Sequence, residues 1–180
     1  RIWHWVNVVT LVIMLMSGLM IFNAHPHLYW GEYGANFDHA WLSIGGIGTA
    51  FPGWATIPSH YDLASARIWH LAFAWVLAVG LLIYLLCSLA NGHLRRDIHI
   101  TRAEWRPSHL WHDIKEHARL RFPTGAAALR YNVLQKLAYA GVLFVLLPLV
   151  ILTGLAMSPG MDAAWPFLTE VWGGRQSARS

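Results

Sequence analysis

Apolar residues run almost unbroken through three segments, Ile2 to Phe22, Ile68 to Leu89 and Leu137 to Met157. Each holds about 20 residues, and at 1.5 Å per residue a helix of that length crosses the ~30 Å hydrocarbon layer of a bilayer. Inside that layer no water reaches a backbone N–H or C=O, so a spanning segment must satisfy its own polar groups as a helix or join a closed barrel. No ten-residue alternation of apolar and polar positions supports a barrel. The pattern predicts an all-α membrane protein, a transmembrane helix bundle forming one domain over residues 1–180. Its spans are expected at about 2–22, 68–89 and 137–157, with an outer loop at 24–66 and an inner basic loop at 91–136. The first run is too long and too uniformly apolar for a signal-peptide core, and no small-x-small cleavage pattern follows it. It is expected to stay in the mature protein.

Composition narrows the classes further. The 180 residues are 56% hydrophobic and 12% charged, against roughly 45–50% apolar and about 25% charged in an average soluble domain. This composition argues against a disordered chain and against a soluble enzyme. The single Cys87 permits no internal disulfide, no CxxC metal clip and no CxxCH haem attachment, so any haem is held non-covalently. Residues 24–66 contain no Lys or Arg, whereas 91–136 contain Arg95, Arg96, Arg102, Arg106, Lys115, Arg119, Arg121, Arg130 and Lys136. By the positive-inside rule the second loop is expected in the cytoplasm. The first span then runs outward, the second inward and the third outward, leaving 158–174 outside. Trp3, Trp5, Trp30, Trp69, Trp165 and Trp172 fall at the expected interfaces, where amphipathic rings settle.

Short stretches recur along the chain. Ser17-Gly18-Leu19 ends the first run and Thr153-Gly154-Leu155 ends the third; a small-Gly-Leu step lets a second backbone, or a flat cofactor, come close. Ser65-Ala66-Arg67-Ile68-Trp69-His70 opens the second run, and Ser177-Ala178-Arg179-Ser180 echoes its first part. From that echo, and from a chain that opens on Arg1 with a span already under way, we expect a fragment: three spans of four, with a short N-terminal piece and at least one further helix beyond it.

Two histidines fall within the apolar runs, His4 near the inner end of the first and His70 near the outer end of the second. Ionisable groups in a span are costly, and a functional role is the default expectation. The alternative is an interfacial imidazole satisfied by water or a carbonyl. Neutral imidazole is a good iron ligand, and a haem held only by helix side chains needs one at each axial position. The two sites lie on opposite faces of a ~30 Å layer and cannot share an iron. They imply two haems or none. Second ligands within the chain would have to come from His93 on the inner side, or from His25, His27 or His60 on the outer. Arg67, three residues before His70, could meet a haem propionate, as could Arg1 at the inner site.

These stretches together, Arg1-Ile2-Trp3-His4-Trp5-Val6-Asn7, Ser17-Gly18-Leu19, Ala66-Arg67-Ile68-Trp69-His70, Tyr131-Asn132-Val133-Leu134-Gln135-Lys136 and Thr153-Gly154-Leu155, resemble the four-helix cytochrome b subunits of the bacterial cytochrome b561 and nickel-hydrogenase type. The likeness is greatest to the thiosulfate-reductase-like branch, whose partners are molybdopterin or hydrogenase subunits. The resemblance implies two b haems, with His4 on the inner and His70 on the outer iron, and a fourth helix supplying both second ligands. The Tyr-Asn-x-x-Gln-Lys element is similar to the menaquinone pocket of formate-dehydrogenase cytochrome subunits and implies that Asn132 and Gln135 bind quinone, although Leu134 stands where those subunits carry Gly; the alternative is that the two residues only cap and flank the third span. The implied function is electron transfer between a quinone pool and a periplasmic redox subunit, with membrane lipid as the other partner and no role for nucleic acid. The alternative is a haem-free transporter or anchor using His4 and His70 as transport or structural ligands.

Weaker patterns complete the reading. Residues 108–122 place Leu110, Ile114, Ala118 and Phe122 four apart, the spacing of a short amphipathic helix on the inner leaflet. His109, His112, Asp113 and His117 beside them read as a solvated face before a metal site. The outer loop carries Trp30, Tyr33, Phe37, Trp41, Phe51 and Trp54, which suggests a folded cap or docking surface. Pro148 is expected to kink the third span, and Cys87 reads as a packing residue.

Overall fold

The computed structural model describes residues 2–35, 38–102, 104–121 and 131–180. Arg1, Phe37, Phe122 and Arg130, which figure in the expectations above, lie outside them. Three helices are long and apolar enough to cross a membrane: α1 over Ile2–Asn23, α2 over Leu63–Ala90, and a third over Val133–Ala156. Most of their large apolar side chains are exposed, including Leu15, Leu71, Trp75, Leu82, Leu86 and Val145. An apolar surface of that extent has no place in water and is what a helix presents to lipid. The chain packs as two compact units, one of residues 1–80 with 150–180 and the other of 81–149.

In the first unit α1 and α2 meet where His70 lies against Ser17 and Gly18 and where Trp3 lies against Gly80. Thr10, Ser17 and Ala66 are buried, and the Trp3 indole packs on Gly80 so closely that a Cβ there would lie 2.8 Å from its Cη2. The segment after α1 is a folded cap. Asn23 organises it: its side chain donates to Phe51 O at 3.0 Å and accepts from Phe51 N at 2.8 Å, while its carbonyl accepts from Gly48 N at 2.7 Å. The strands β1 (His27–Leu28) and β2 (Leu42–Ser43) pair antiparallel with Leu28 opposite Leu42, and a 3-10 turn follows at Gly53–Ala55.

The second span starts at Leu63, five residues before the expected Ile68. Asp62 caps it, its carboxylate accepting from Ser65 N at 3.0 Å and Ser65 Oγ at 2.5 Å, and these bonds hold the Asp62 carboxyl below its ordinary value. A polar cap lets the helix continue past the apolar run into water. The third span likewise begins at Val133 rather than Leu137, behind a reciprocal capping box in which Gln135 N donates to Asn132 Oδ1 at 2.8 Å and Asn132 N donates to Gln135 Oε1 at 3.2 Å. It is not one regular helix. α4 (Val133–Gly141) passes through a π turn at Val142–Leu146 into α5 (Leu147–Ala156). Leu147 N donates to Val142 O, five residues back, just ahead of Pro148, whose ring cannot pass the carbonyl four residues before it in a regular turn.

In the second unit a π turn at Leu94–Ile98 follows α2, and α3 covers Pro107–Ala118, four residues short of the expected 122. Glu104 joins the loop to α4: its carboxylate lies 2.8 Å from Lys136 Nζ and accepts from Thr101 N at 2.7 Å. Three short helices, α6 (Pro159–Ala164), α7 (Phe167–Val171) and α8 (Arg175–Arg179), close the first unit.

Two measurements test these joints. Asn132→Ala should cost about 1 kcal/mol of stability, while Asn132→Asp retains the cap; thermal unfolding of the purified protein in detergent reads both. The Lys136 ammonium, with the Thr101 amide, lowers the Glu104 pKa from 4.5 to about 2. Because the folded value is the depressed one, this stabilisation is complete above pH 4.5 and fades as the pH falls toward about 2. Hydrogen exchange at the Thr101 amide should show protection lost across that window, and Glu104→Gln should abolish the pH dependence.

Candidate functional site

His70 sits one to two turns into α2 and faces α1. Its Nδ1 lies 3.1 Å from Met14 O and 3.1 Å from Ser17 Oγ. A carbonyl can only accept, so Nδ1 carries the proton and the lone pair resides on Nε2. Ser17 Oγ spends its own proton on Ile13 O at 2.7 Å, which leaves the hydroxyl oxygen free to accept a share of the His70 N–H. Gly18 lies beside the ring, where an added Cβ would stand 3.4 Å from His70 Cε1. A backbone carbonyl fixing Nδ1 while Nε2 is left with its lone pair is the arrangement by which proteins orient a metal-ligating imidazole. The donor chemistry of His70 therefore fits an axial haem ligand.

The remaining sequence candidates divide. His4 is in the first turn of α1, exposed, and its ring makes an edge contact with Trp5 at 5.7 Å; among the described residues no hydrogen bond orients it. Arg67 is exposed on α2 one turn before His70 and forms no ion pair among the described residues, so its guanidinium is free for an anionic group. His93 is committed to Asp97 at 2.7 Å, and its ring meets the edge of Tyr84. His27 Nδ1 is engaged by Ser43 Oγ at 2.9 Å, and His60 is exposed. His25 stacks on Tyr29 at 5.6 Å, and its Nε2 is buried without a hydrogen-bond partner among the described residues. Burial, then the charges of Arg179 and His27, push this imidazole below its ordinary pKa. No group of three or more His, Cys, Asp or Glu could hold a metal ion among the described residues.

Asn132 and Gln135 come together as the capping box of α4, so both side-chain oxygens are already used by backbone N–H groups. Their two amide NH2 groups are left as donors on an exposed edge, next to Tyr131, whose ring meets Tyr139 at 5.1 Å. Burial, with Tyr139 and Asp97 nearby, raises the Tyr131 phenol above its ordinary value, and it stays protonated at neutral pH.

Sequence reading missed two features. Met14 O and Ser17 as the supports of His70 had only a faint signal, since Ser17 reads equally well as a small packing residue. Arg179 had none: it donates to His25 O and to His27 O and covers the Phe22 ring at 5.7 Å. Ser177 Oγ accepts from Gly31 N at 2.7 Å, and Ser180 Oγ donates to Tyr29 O at 2.7 Å. The residues of the echo thus fasten the cap that follows α1.

Known proteins resemble the chain along its length. Residues 1–178 match the family model described as prokaryotic cytochrome b561. The chain is 29% identical over 182 residues to a protein of Azospira oryzae named as the protein-methionine-sulfoxide reductase subunit YedZ1, covering 99% of this chain and 76% of that relative. It is 28% identical to a protein of Escherichia coli named as the cytochrome YdhU, over 86% of this chain and 49% of the relative. A protein of Cupriavidus necator named as a Ni/Fe-hydrogenase B-type cytochrome subunit is 26% identical, over 87% of this chain and 54% of the relative. The chain thus spans about half the length of the latter two. No solved structure matches it. With three membrane-length helices and a family match from end to end, the chain belongs to the prokaryotic cytochrome b561 family of b-haem membrane electron-transfer subunits of oxidoreductases.

Proposed function

We propose that the protein carries electrons across the bacterial inner membrane between a quinone and a periplasmic oxidoreductase subunit of the molybdopterin or hydrogenase kind, using two b haems. The observation that supports this best is the fixed tautomer of His70, with Nδ1 on Met14 O at 3.1 Å and Nε2 presenting its lone pair. Bound haem supplies one-electron redox chemistry; the chain's part is to ligate, orient and bury it. In this reading His70 holds the outer haem iron and Arg67 meets a propionate. His4 ligates the inner haem, as the resemblance implies.

The amide groups of Asn132 and Gln135 donate hydrogen bonds to a quinone carbonyl. As their oxygens are tied to the α4 cap, the pair is a donor site, suited to holding the oxidised ring, and the protons taken up on reduction come from elsewhere. Glu104 is not their source, since with its pKa near 2 it is ionised at neutral pH. The basic stretch after α2 supports a cytoplasmic position for this end of the protein. The names of the relatives, a protein-methionine-sulfoxide reductase subunit and a hydrogenase cytochrome subunit, support a catalytic partner, and family membership favours the haem reading over a transporter or a plain anchor.

Membranes expressing the full-length gene product should give a dithionite-reduced b-type spectrum. His4→Ala and His70→Ala should each remove about half of it, leaving different α-band positions. Correctly inserted protein with no haem bands would end the proposal, and loss of all haem in either variant would replace two independent sites with one. Gly18→Val, which crowds the His70 ring, should deplete only the component lost in His70→Ala.

A further inference from the structure

The second unit has a cleft at the inner end of α2 that nothing in the electron-transfer reading uses. It encloses about 320 Å³ and is lined by Ser88, Leu89, Ala90, Gly92, Leu94 and Arg95. The spanning helix ends at Ala90, so the cleft straddles the boundary between hydrocarbon and headgroups. Its walls are mixed accordingly, with Leu89, Ala90 and Leu94 apolar, Ser88 buried and Arg95 exposed.

The electrostatics of this corner favour an anion. A helix C-terminus ordinarily presents free carbonyls that repel one, and two of those at the end of α2 are taken up here, Cys87 O accepting from Asn91 N at 2.9 Å and Leu89 O from Gly92 N at 3.2 Å. The left-handed turn at Gly92, φ +66°, makes this closure possible. The carboxylate at this turn, Asp97, is shared by His93 at 2.7 Å and Arg96 at 3.1 Å. Arg95 has no carboxylate partner among the described residues. A free phosphate would use the guanidinium and ignore the apolar walls, and a neutral lipid would use the walls and leave the guanidinium uncompensated. A molecule with an anionic head and apolar chains uses both.

The same unit is equipped to lie against a lipid headgroup layer. On α3 Trp111 and Ile114 are exposed, as are Trp105 before it and Leu120 after it, and Lys115 Nζ lies over the Trp111 ring at 5.4 Å. Arg102, Arg106, Arg119 and Arg121 are exposed in the flanking loop. Aromatic residues amid exposed cations are the signature of a segment that rests on an anionic membrane surface.

We infer that the cleft at the end of α2 binds one anionic phospholipid, with Arg95 on the headgroup phosphate and Leu89, Ala90 and Leu94 along the chains. The full-length protein, purified with its partners in mild detergent and stripped of lipid, is offered phosphatidylglycerol or phosphatidylethanolamine of the same acyl composition and examined by native mass spectrometry. One phosphatidylglycerol should be retained per chain. Arg95→Gln should weaken this about fivefold, the usual effect of one Lys or Arg at an anionic surface. Leu94→Trp, which fills the cleft and leaves the charge alone, should weaken it at least as much. Arg102→Gln, elsewhere in the basic loop, should leave it unchanged, with the haem spectrum of each variant checking its fold. Equal retention of phosphatidylethanolamine would overturn the proposal. So would equal losses in Arg95→Gln and Arg102→Gln, which would mean diffuse surface charge. Displacement of the lipid by millimolar inorganic phosphate would make the site a free-anion site, and insensitivity to Leu94→Trp would remove the cleft from it.

Discussion

Lipid tails are as apolar as leucine, so membrane helices gain little by hiding greasy faces from their solvent, and close approach of backbones has to take the place of the hydrophobic effect. In the pairing of α1 with α2, glycines let a ring of one helix reach the backbone of the other: Trp3 lies on Gly80 and His70 beside Gly18. A Cβ at Gly80 would have to displace the Trp3 ring, and a side chain larger than alanine at Gly18 would crowd the His70 ring. This contact brings Met14 O within 3.1 Å of His70 Nδ1, so the candidate haem ligand is oriented by the packing that holds the two helices together.

The same solvent makes each polar group in a span account for its partners. Ser17 spends its hydroxyl proton on Ile13 O, and His70 spends its N–H on Met14 O. Outside the spans the accounting passes to caps and clamps. Asn23 ties the end of α1 to Phe51 and Gly48, Asp62 carries α2 beyond its apolar run, and the Asn132–Gln135 box does the same for α4. Arg179 holds the carbonyls of His25 and His27, and so joins the cap after α1 to the last turn of the described chain. His4, at an exposed helix start, has no comparable support among the described residues.

The spans, their helical nature and the conspicuous histidines were legible because they depend on local quantities: run length, charge distribution and the cost of an ionisable group in hydrocarbon. The family resemblance was legible for a related reason, since its motifs lie at helix ends and beside the histidines, and the end-to-end family match bears it out. Helix boundaries were read less well. Asp62 and Asn132 are ordinary capping residues, but an expectation built on apolar runs stops where the run stops, and a capped helix continues into water. The Asn132-x-x-Gln135 spacing is itself a capping signature, and of the two readings it allowed, a helix cap and a quinone site, the structure shows the cap.

The sequence by itself determined that this chain is helical and crosses a membrane, because backbone hydrogen bonding in a solvent without donors or acceptors leaves no other economical solution. It also determined which side chains are costly enough to demand a role. Tertiary structure decided which nitrogen of His70 keeps its lone pair, that Arg179 fastens the cap after α1, that His93 belongs to Asp97 while Arg95 has no carboxylate partner among the described residues, and that a π turn precedes Pro148. Each of these depends on which carbonyl or carboxylate comes within about 3 Å of which donor. That is settled by the packing of segments up to 154 residues apart in sequence, and no local pattern records it.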